Sequence, residues 1–382
     1  SIVNAVRRGG DKALRRYAER WDRLAPKQPL RVPAAEIARA TKSISPELRS
    51  AISQAALNIR RFCELQKPSS WTRTRGGASL GQLVIPLDSV GCYVPGGRHA
   101  LVSTLLMTVI PTQTAGVKEI RITSPTPSAA VLAACSLLGV RELYRVGGAQ
   151  AIAALAYGTK SLPRVDKIVG PGNAYVTVAK KLVAFDCAID FLAGPTEAVV
   201  LSEHGNPQFI AADLVSQAEH DPEALAVFIT TSRRLAHAVA LKVTELAKQN
   251  ATARVALRRR GAVLLSDSRK QARSWANLIA PEHITVDAED LPFIRNAGSI
   301  FVGDYSPQAA GDYASGPNHV LPTSGQARFR GGLSVHDFVK LVTVQKLSRK
   351  GLERISQTVE CLAEIEGLQA HAQSIRARSR IA

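Results

Sequence analysis

The stretch 118-KEIRITSPTPSAAVLAACSLLGVRELYRVGG-148 contains the pattern that decides the fold. A short apolar run comes first, and a turn with Pro and Ser separates it from an alanine-rich segment of helical length. A second short apolar run follows and ends at two glycines. Strand, helix and strand in this order form the repeating unit of a parallel sheet. The stretch therefore predicts an α/β fold.

The same alternation extends in both directions along the chain. Short apolar runs alternate with helix-length segments over 83–172 and again from about 196 to 303. Apolar residues recur at helical spacing in 1–66, a break rich in Pro, Ser and Gly follows at 67–79, and a helical pattern returns from about 334. We therefore expect two similar α/β units with parallel sheets, followed by a helical C-terminal extension.

Composition limits the classes of protein that need to be considered. The chain has 382 residues, of which 46% are hydrophobic and 21% charged, as is ordinary for a soluble globular protein. Apolar runs stay shorter than the roughly 18 residues that a membrane span needs, so we expect no membrane partner. The chain begins at Ser1 without a charged-then-apolar leader. We interpret this start as processing or trimming rather than as a secretory signal.

The net charge of +18 raises the hypothesis of a nucleic-acid-binding protein. However, the Lys and Arg residues are scattered, and aromatic residues make up only 5% of the chain. Basic stretches interleaved with aromatic residues, which a stacking platform needs, are missing from the sequence. We therefore expect no nucleic-acid partner, and a basic surface that attracts anionic ligands such as a dinucleotide. A salt-dependent gel shift would favour the nucleic-acid alternative.

The five cysteines are far apart and none has CxxC spacing. This spacing argues against a thiolate zinc site and against a disulfide framework. It is typical of a protein from a reducing cytoplasm. Any metal ion in this protein must then be held by His, Asp, Glu or Gln side chains.

Glycine-rich turns follow several of the expected strands, at 95-PGG-97, 146-VGGAQ-150, 169-VGPGN-173 and 193-AGPTE-197. Backbone N–H groups in such turns can approach a pyrophosphate closely, and a following helix N-terminus adds positive potential. The sequence has neither GxGxxG after a strand nor GxxxxGK[ST], the two standard phosphate-loop motifs. Any α/β protein needs glycines at turns, but four such turns in one half of the chain favour a nucleotide crevice beyond the carboxyl ends of the strands.

The segment 213-DLVSQAEHDPE-223 contains a candidate metal site. Gln217 and His220 are three residues apart, a spacing that puts both on one face of a helix. An amide oxygen and an imidazole nitrogen directed at one point can hold a metal ion. The alternative is an amphipathic surface helix that carries a histidine.

Two further segments combine acidic residues with histidine. Glu282 and His283 are adjacent after Pro281, a pair suited to activating water and deprotonating an alcohol if a turn directs both into one cavity. The alternative is a helix start at which the dipole favours Glu282. The run 311-GDYASGPNHV-320 is either a polar surface loop or an ordered loop with a metal-binding carboxylate and a substrate-contacting histidine.

Taken together, the chain resembles the histidinol dehydrogenase family. The resemblance rests on motifs in the family's order and close to its spacing, over nearly the whole chain: GCYVPGG, STLLM, VGGAQAIAALAYGT, VGPGNAYV, AGPTE, SQAEHDP, APEH, GDYASGPNHVLPT and EGLQAH. It implies two Rossmann-like, doubly wound α/β domains. It also implies one zinc ion per subunit and the use of two NAD in turn, which oxidise L-histidinol through an aldehyde to the acid.

The resemblance implies a role for individual residues. His283 would be the general base and Glu282 would activate water. The implied zinc ligands are Gln217, His220, Asp312 and His371, and the implied NAD contacts are Tyr93, Gln150 and Asn173. The implied substrate contacts are Ser103, Thr196, Gln217, His220, His283, Asp312, His319, Glu366 and His371.

The family's members are intertwined dimers. The resemblance therefore implies a homodimer in which the C-terminal extension swaps onto the partner, so that His371, Glu366 and His319 reach the partner's site. We expect a first α/β domain from 1–92 with 196–333, a second from 93–195, and a helical dimerisation tail over 334–382.

The sequence departs from the family's pattern in three places. The family more often has serine where Thr196 stands, the N-terminus is shorter than usual, and the loop 286-VDAEDLPFIRN-296 is short. Threonine keeps the hydroxyl group, so we expect a mild effect on substrate fit. The alternative function is that of a related zinc- and NAD-dependent dehydrogenase for another small polar alcohol, such as a sulfonated diol.

Overall fold

A computed structural model describes residues 1–96 and 101–379, which divide into two compact units. The first unit comprises Ser1–Gln66 and Leu87–Phe338, and the second comprises Lys67–Pro86 and the chain from Val339 onward. The expected boundary between 92 and 93 falls inside a strand, Ser89–Tyr93. The expected domain limits remain a prediction.

The helices follow the predicted alternation, and residues 1–66 are helical as expected. The first helix bends at Gly10, where φ is +49°. The helices are α1 (Ile2–Trp21), α2 (Ala34–Ala40), α3 (Pro46–Gln66), α4 (Val102–Ala115), α5 (Ala129–Leu137), α6 (Gly148–Tyr157), α7 (Ala174–Val183), α8 (Pro207–Ala218), α9 (Arg233–Ala247), α10 (Ala251–Arg260), α11 (Arg269–Ile279), α12 (Gln308–Tyr313), α13 (Arg349–Ile365) and α14 (Gln369–Ser379). Short 3-10 helices span Ala288–Phe293, Gln326–Arg328 and Val335–Phe338.

The strands belong to three sheets. Along the chain they are β1 (Trp71–Arg75), β2 (Ala78–Pro86), β3 (Ser89–Tyr93), β4 (Glu119–Thr123), β5 (Leu143–Tyr144), β6 (Lys167–Val169), β7 (Ala188–Ile189), β8 (Glu197–Leu201), β9 (Leu225–Thr230), β10 (Gly261–Leu265), β11 (His283–Val286), β12 (Ser299–Val302) and β13 (Val339–Leu347).

The first unit contains two parallel five-stranded sheets with the same winding. One has the order β5-β4-β3-β6-β7 and the other β10-β9-β8-β11-β12, and every neighbouring pair in both is parallel. In each sheet the winding reverses beside the first strand, between β3 and β6 and between β8 and β11. This is the Rossmann-like, doubly wound α/β arrangement that the sequence predicted.

Apolar side chains cover both faces of the second sheet. Val200 and Phe228 pack in a core with Leu214 of α8. Their neighbours along the strands, Val199 and Val227, belong to a separate core with α11 on the other face. Successive strand residues point to opposite faces, so strands covered on both sides are nearly continuously apolar. This explains why the runs in the sequence are short and unbroken.

The second unit corrects one expectation about the C-terminal segment. Residues 339–347 form β13, a strand rather than helix, and pair antiparallel with β2 from Val339↔Pro86 to Leu347↔Ala78. The sequence VKLVTVQKL is rich in β-branched residues, which favour extended backbone. Helix resumes at α13 and α14, so the expectation of a helical C-terminus is confirmed from Arg349 onward.

A buried ion pair holds the turn that follows β6. Lys180 Nζ donates to Gly170 O at 2.5 Å and lies 2.6 Å from Asp190 Oδ1, while Asp190 Oδ2 accepts from Gly170 N–H at 2.8 Å. Gly170 has φ of +113°, and a Cβ there would lie 2.2 Å from Tyr93 O. The pair therefore closes a tight backbone crossing between β6 and the end of β3.

We predict that Lys180→Met lowers the free energy of unfolding by about 3 kcal/mol, because it leaves the buried Asp190 carboxylate without its cation. Chemical denaturation monitored by circular dichroism measures this change. Lys181→Met on the same helix is the control, since Lys181 is exposed, and it should change stability by less than about 0.5 kcal/mol. Equal effects of the two substitutions would contradict the interpretation.

Candidate active site

A cavity of about 810 Å³ lies at the carboxyl ends of the first sheet and contains all three expected NAD contacts, Tyr93, Gln150 and Asn173. Tyr93 ends β3, and Asn173 follows β6, on either side of the position where the winding reverses. Ligands of open α/β sheets bind in this position. Trp21 and Asp22, at the end of α1, complete part of the wall.

The expected NAD contacts are held in defined orientations. Gly148 N–H donates to the Tyr93 hydroxyl at 3.1 Å, and Gln150 Nε2 donates to Asp22 Oδ2 at 3.0 Å. Asn173 Oδ1 caps α7 by accepting from Val176 N–H at 3.2 Å. Two helices, α6 and α7, thus begin at the cavity wall and contribute positive potential there. Both features fit an anionic dinucleotide.

The expected catalytic pair lies at the second sheet, but at the amino ends of its strands. His283 is the first residue of β11 and is level with Ala198 of β8. Glu282 precedes it, and Glu282 Oε2 accepts from Glu197 N–H at 3.2 Å. Because the first N–H of a strand can lack a ladder partner, the amino end of a sheet offers donors for a carboxylate. The carboxyl-end rule that we expected holds for the cavity and not for this pair.

His283 is almost fully buried between two carboxylates. Its Nδ1 lies 3.8 Å from Glu282 Oε2, and its Nε2 lies 3.4 Å from Asp312 Oδ1. Both contacts are too long for good hydrogen bonds, and both ring nitrogens are buried without a hydrogen-bond partner among the described residues. Such groups are costly unless a ligand pairs with them. Glu282 and His283 therefore lie beside one another, with His283 as the first residue of β11 rather than on a turn, and the expectation that both face one cavity stays a prediction.

Asp312 and Gln217 extend this cluster. Asp312 lies on the short helix α12, and its Oδ2 accepts from Gln217 Nε2 at 3.0 Å. Gln217 is buried near the end of α8, and its amide can also present an oxygen. A polar amide and a carboxylate 3.0 Å apart beside a buried imidazole are uncommon in an apolar core. These three residues are thus brought together from segments far apart in the sequence.

The histidines expected to surround this cluster are placed as follows. His319 Nδ1 lies 2.7 Å from Asp312 O. His220 follows the end of α8, is exposed, and its N–H bonds to Gln217 O at 3.3 Å. His220 is also close enough to His319 for its charge to lower the pKa of that imidazole, an effect smaller than that of burial. Gln217 and His220 are therefore neighbours across a helix end rather than along one regular helix.

The other expected substrate contacts are less closely connected. Thr196 immediately precedes β8 and is partly buried. Ser103 lies in the first turn of α4, directly after residues 97–100, which fall outside the described residues. Glu366 and His371 belong to the second unit, are exposed, and lie at the end of α13 and on α14.

The pKa values in the cluster are perturbed in opposite directions. Burial raises the pKa of Glu282 to about 7, although the neighbouring His283 opposes the shift. Burial by itself would lower the pKa of His283, but the Glu282 and Asp312 carboxylates together raise it. For Asp312 burial acts upward, and contacts with His283, His319 and Gln217 outweigh it, so the pKa of Asp312 is lowered. Groups with separated pKa values are suited to exchanging protons.

Within residues 1–96 and 101–379, no group of three or more His, Cys, Asp and Glu side chains has the geometry of a metal site. The expected ligands include an amide, Gln217, and a residue of the second unit, His371. The Gln217 amide contacts Asp312 through its Nε2 at 3.0 Å, so an amide and a carboxylate are adjacent, and His220 follows the same helix. Oxygen and nitrogen donors of this kind suit a divalent transition metal. The residues of the first unit thus fit part of a zinc site.

Two residues near these sites were not assigned a role from the sequence. Glu197 contacts Glu282 through its backbone, and its Oε2 is buried without a hydrogen-bond partner among the described residues. Asp22 is buried in the wall of the cavity. The sequence did contain a signal for Asp22. A carboxylate at the carboxyl end of a helix is unfavourable, because the helix dipole is negative there, and an unfavourable residue can indicate a functional role. For Glu197 we find no local signal beyond the AGPTE motif.

The described helices were also compared with the requirements of a membrane span. None of the helices formed by the described part of the chain combines the length and the apolar character that crossing a bilayer requires.

Comparison with known proteins gives consistent results. The histidinol dehydrogenase family model matches residues 1–379. The chain is 48% identical to a histidinol dehydrogenase of Methanothermobacter thermautotrophicus and 47% identical to one of Halalkalibacterium halodurans, in each case over 99% of this chain and 92% of the relative. The crystal structure of a histidinol dehydrogenase from Elizabethkingia anophelis superposes with a TM-score of 0.94 at 37% identity, covering 99% of this chain and 90% of that one.

The raised pKa of Glu282 predicts a pH dependence of stability in the metal-free protein. Between the ordinary value of 4.5 and about 7 the folded chain keeps a proton that the unfolded chain has lost. The free energy of unfolding should therefore fall as pH rises through this range, by on the order of 3 kcal/mol from this group. Glu282→Gln should flatten the dependence, measured by denaturation at pH 5 and pH 8. The exposed Glu64→Gln is the control; equal slopes for both variants would refute the prediction.

Proposed function

The chain belongs to the histidinol dehydrogenase family, and we propose that it oxidises L-histidinol through L-histidinal to L-histidine, the last step of histidine biosynthesis. Four electrons pass to two NAD in turn. The observation that carries the proposal is His283, a buried imidazole between two carboxylates with both ring nitrogens unpaired in the described structure. A substrate alcohol is the kind of group that such an imidazole can deprotonate.

His283 acts as the general base in both oxidations. The Glu282 and Asp312 carboxylates raise the pKa of the imidazole, which makes the ring a stronger proton acceptor. In the first oxidation it takes the hydroxyl proton of the alcohol. In the second it takes a hydroxyl proton of the aldehyde hydrate. Each oxidation removes a hydride from carbon and a proton from oxygen, and both proton transfers can use one positioned base.

Glu282 activates the water that adds to the aldehyde. A carboxylate is a weak base at its ordinary pKa, but burial raises the pKa of Glu282 to about 7. A group with a pKa near the working pH can both take and release a proton. Its anchor is Glu197 N–H at the start of β8. This contact fixes the Oε2 side of the carboxylate toward the sheet.

We place one zinc ion per subunit among Gln217, His220, Asp312 and His371 of the partner subunit. When bound, zinc supplies a positively charged centre that orients the amine and imidazole nitrogens of the substrate. Asp312 also contacts His283 Nε2 at 3.4 Å, so the carboxylate connects the proposed metal site with the base. Ser103, Thr196, His319 and Glu366 are the further proposed substrate contacts.

The cavity at the first sheet is the proposed NAD site, with contacts from Tyr93, Gln150 and Asn173. NAD accepts a hydride equivalent in each oxidation. The tight crossing at Gly170 keeps Tyr93 and the loop before Asn173 close together. These residues would bind and orient the dinucleotide, and the chemistry of hydride acceptance belongs to the cofactor.

We propose a homodimer whose sites are completed by exchanged C-terminal extensions. The support is that Glu366 and His371 are exposed in the second unit, on helices with exposed apolar residues such as Leu362 and Ile365. We also propose a cytoplasmic location, because the five cysteines are free and four of them are buried. Free buried thiols are typical of a reducing compartment.

We predict two NADH per L-histidinol for the wild type, and a loss of most turnover for His283→Asn, with zinc retained. Absorbance at limiting substrate and metal analysis measure the two quantities. His237→Asn, at an exposed position, should leave both unchanged. A loss of zinc from His283→Asn would mean that the base is misassigned. Turnover of a sulfonated diol but not of L-histidinol would favour the alternative dehydrogenase.

A mixing experiment tests the exchanged site. His283→Asn and His371→Ala should each be inactive alone, because each removes one essential group from every site. Refolded together in equal amounts, half the dimers are mixed, and each mixed dimer has one complete site, so about a quarter of the wild-type activity should return. Gln373→Ala, at another exposed position of α14, is the control. If mixing restores no activity while both variants dimerise, His371 acts within its own subunit.

A further inference from the structure

We propose that Asp22 is a specificity-determining residue of the cavity at the first sheet: one carboxylate oxygen fixes the turn that begins α6, and the other accepts a hydrogen bond from a ribose hydroxyl of the dinucleotide and excludes a 2′-phosphate. The inference rests on the proposed NAD site. It assigns a residue that neither the motifs nor the expected contacts include. A residue in this position decides between NAD and its 2′-phosphorylated form.

Asp22 occupies a position that is unfavourable for a carboxylate. It directly follows the 20-residue helix α1, and its N–H bonds to Ala18 O at 2.8 Å. The partial negative charge at the end of a helix disfavours an anion there. The residue is only 6% exposed, so the charge is also largely removed from water. Burial accordingly raises the pKa of Asp22, and its two hydrogen bonds only partly oppose this. Two unfavourable terms combine at a single side chain.

One oxygen of Asp22 has a structural role. Oδ2 accepts from Gly147 N–H and from Gln150 Nε2, each at 3.0 Å. Gly147 has no space for a side chain, since a Cβ would lie 2.8 Å from Pro125, and Gly148 has φ of +61°. The turn before α6 is thus a crowded one that requires glycine at both positions, and the carboxylate holds it. Gln150, one of the proposed NAD contacts, receives its orientation from the same oxygen.

The other oxygen, Oδ1, is not used in this way. It has no hydrogen-bond partner among the described residues, whereas Asp22 lines the cavity of about 810 Å³. Oδ1 keeps some contact with solvent, so a ligand that displaces this solvent from the cavity must supply a donor in its place. Ribose hydroxyls are among the donors that a dinucleotide offers, beside its carboxamide and adenine amino groups, and they are the donors that carboxylates bind in other α/β crevices. A phosphate on that hydroxyl would replace a donor with a second anion.

The charges that face Asp22 support this assignment. Arg23 is the neighbouring cation in the cavity wall, and it is exposed. The amino ends of α6 and α7 add partial positive charge at the same wall. These positive groups suit a diphosphate, which both dinucleotides share. The buried Asp22 carboxylate is the group that distinguishes them, because its interaction with the ribose changes from attraction to repulsion.

Equilibrium binding separates this proposal from the proposed function. Isothermal titration calorimetry with NAD and with NADP, on the full-length protein as purified and without substrate, gives two dissociation constants for each variant. For the wild type we expect NAD to bind at least about a hundredfold more tightly than NADP. Asp22→Asn should raise the dissociation constant of NAD about tenfold and bring the ratio of the NADP and NAD constants close to one. Arg23→Gln, the matched neighbouring variant, should weaken both dinucleotides equally and keep the ratio.

Two outcomes would contradict the assignment, and a second variant covers the case in which the first does not fold. An Asp22→Asn variant that weakens NAD and NADP by the same factor would assign Asp22 a purely structural role and overturn the proposal. A second variant, Asp22→Ser, keeps a hydroxyl acceptor for Gly147 and must show the same loss of discrimination if Asp22→Asn fails to fold. A wild type that binds neither dinucleotide would refute the NAD site itself. Circular dichroism and thermal melting confirm that each variant is folded.

Discussion

The arrangement of this protein depends on carboxylates that are buried and held by backbone N–H groups at the ends of regular elements. Glu282 bonds to the N–H of Glu197 at the start of β8, and Asp190 to that of Gly170 after β6. Asp22 bonds to the N–H of Gly147 before α6. Each N–H lies where a strand or helix leaves it without a ladder partner. A buried carboxylate is tolerated when donors of this kind or a paired cation satisfy it, and the loops with the polar residues are fixed by the same bonds.

These anchors differ in what they leave available. Asp190 is also paired with Lys180, so its charge is neutralised and it serves the turn at Gly170. Glu282 Oε2 lies 3.8 Å from His283 Nδ1, too far for a hydrogen bond, and burial raises the pKa of Glu282 to about 7. The difference is that one carboxylate has a cation within hydrogen-bonding distance and the other has a titratable imidazole. The first arrangement supports the fold, and the second can exchange protons.

The two parallel sheets use opposite ends. In the first, the polar residues lie beyond the carboxyl ends, where the winding reverses between β3 and β6. In the second, Glu282 and His283 lie at the amino end of β11, beside the amino end of β8. Two sheets with the same winding therefore support different chemistry: one provides a crevice with helix N-termini, and the other provides strand N–H donors for a carboxylate. The similarity of fold does not by itself determine where polar residues gather.

The sequence by itself determined the fold class. The rhythm of short apolar runs and helix-length segments requires parallel sheets buried on both faces, because a strand covered on both sides has no polar face. Local chemistry also singled out Glu282 and His283 as adjacent polar residues after Pro281, but it predicted a turn where His283 begins β11. The sequence-based expectation of helix from about 334 was wrong at 339–347. This β-branched run forms a strand because it pairs with β2, about 260 residues earlier in the chain.

Only the tertiary structure decided which distant residues meet. Gln217 and Asp312 are 95 residues apart in sequence and Asp22 and Gln150 are 128 apart, yet each pair lies at 3.0 Å. No periodicity relates such positions, since their proximity follows from the strand order and from where the chain crosses between the sheets. The perturbed pKa values have the same origin. Burial determines them together with nearby charges, and although Glu282 and His283 are sequence neighbours, Asp312 comes from a distant segment and burial itself follows only from the tertiary structure.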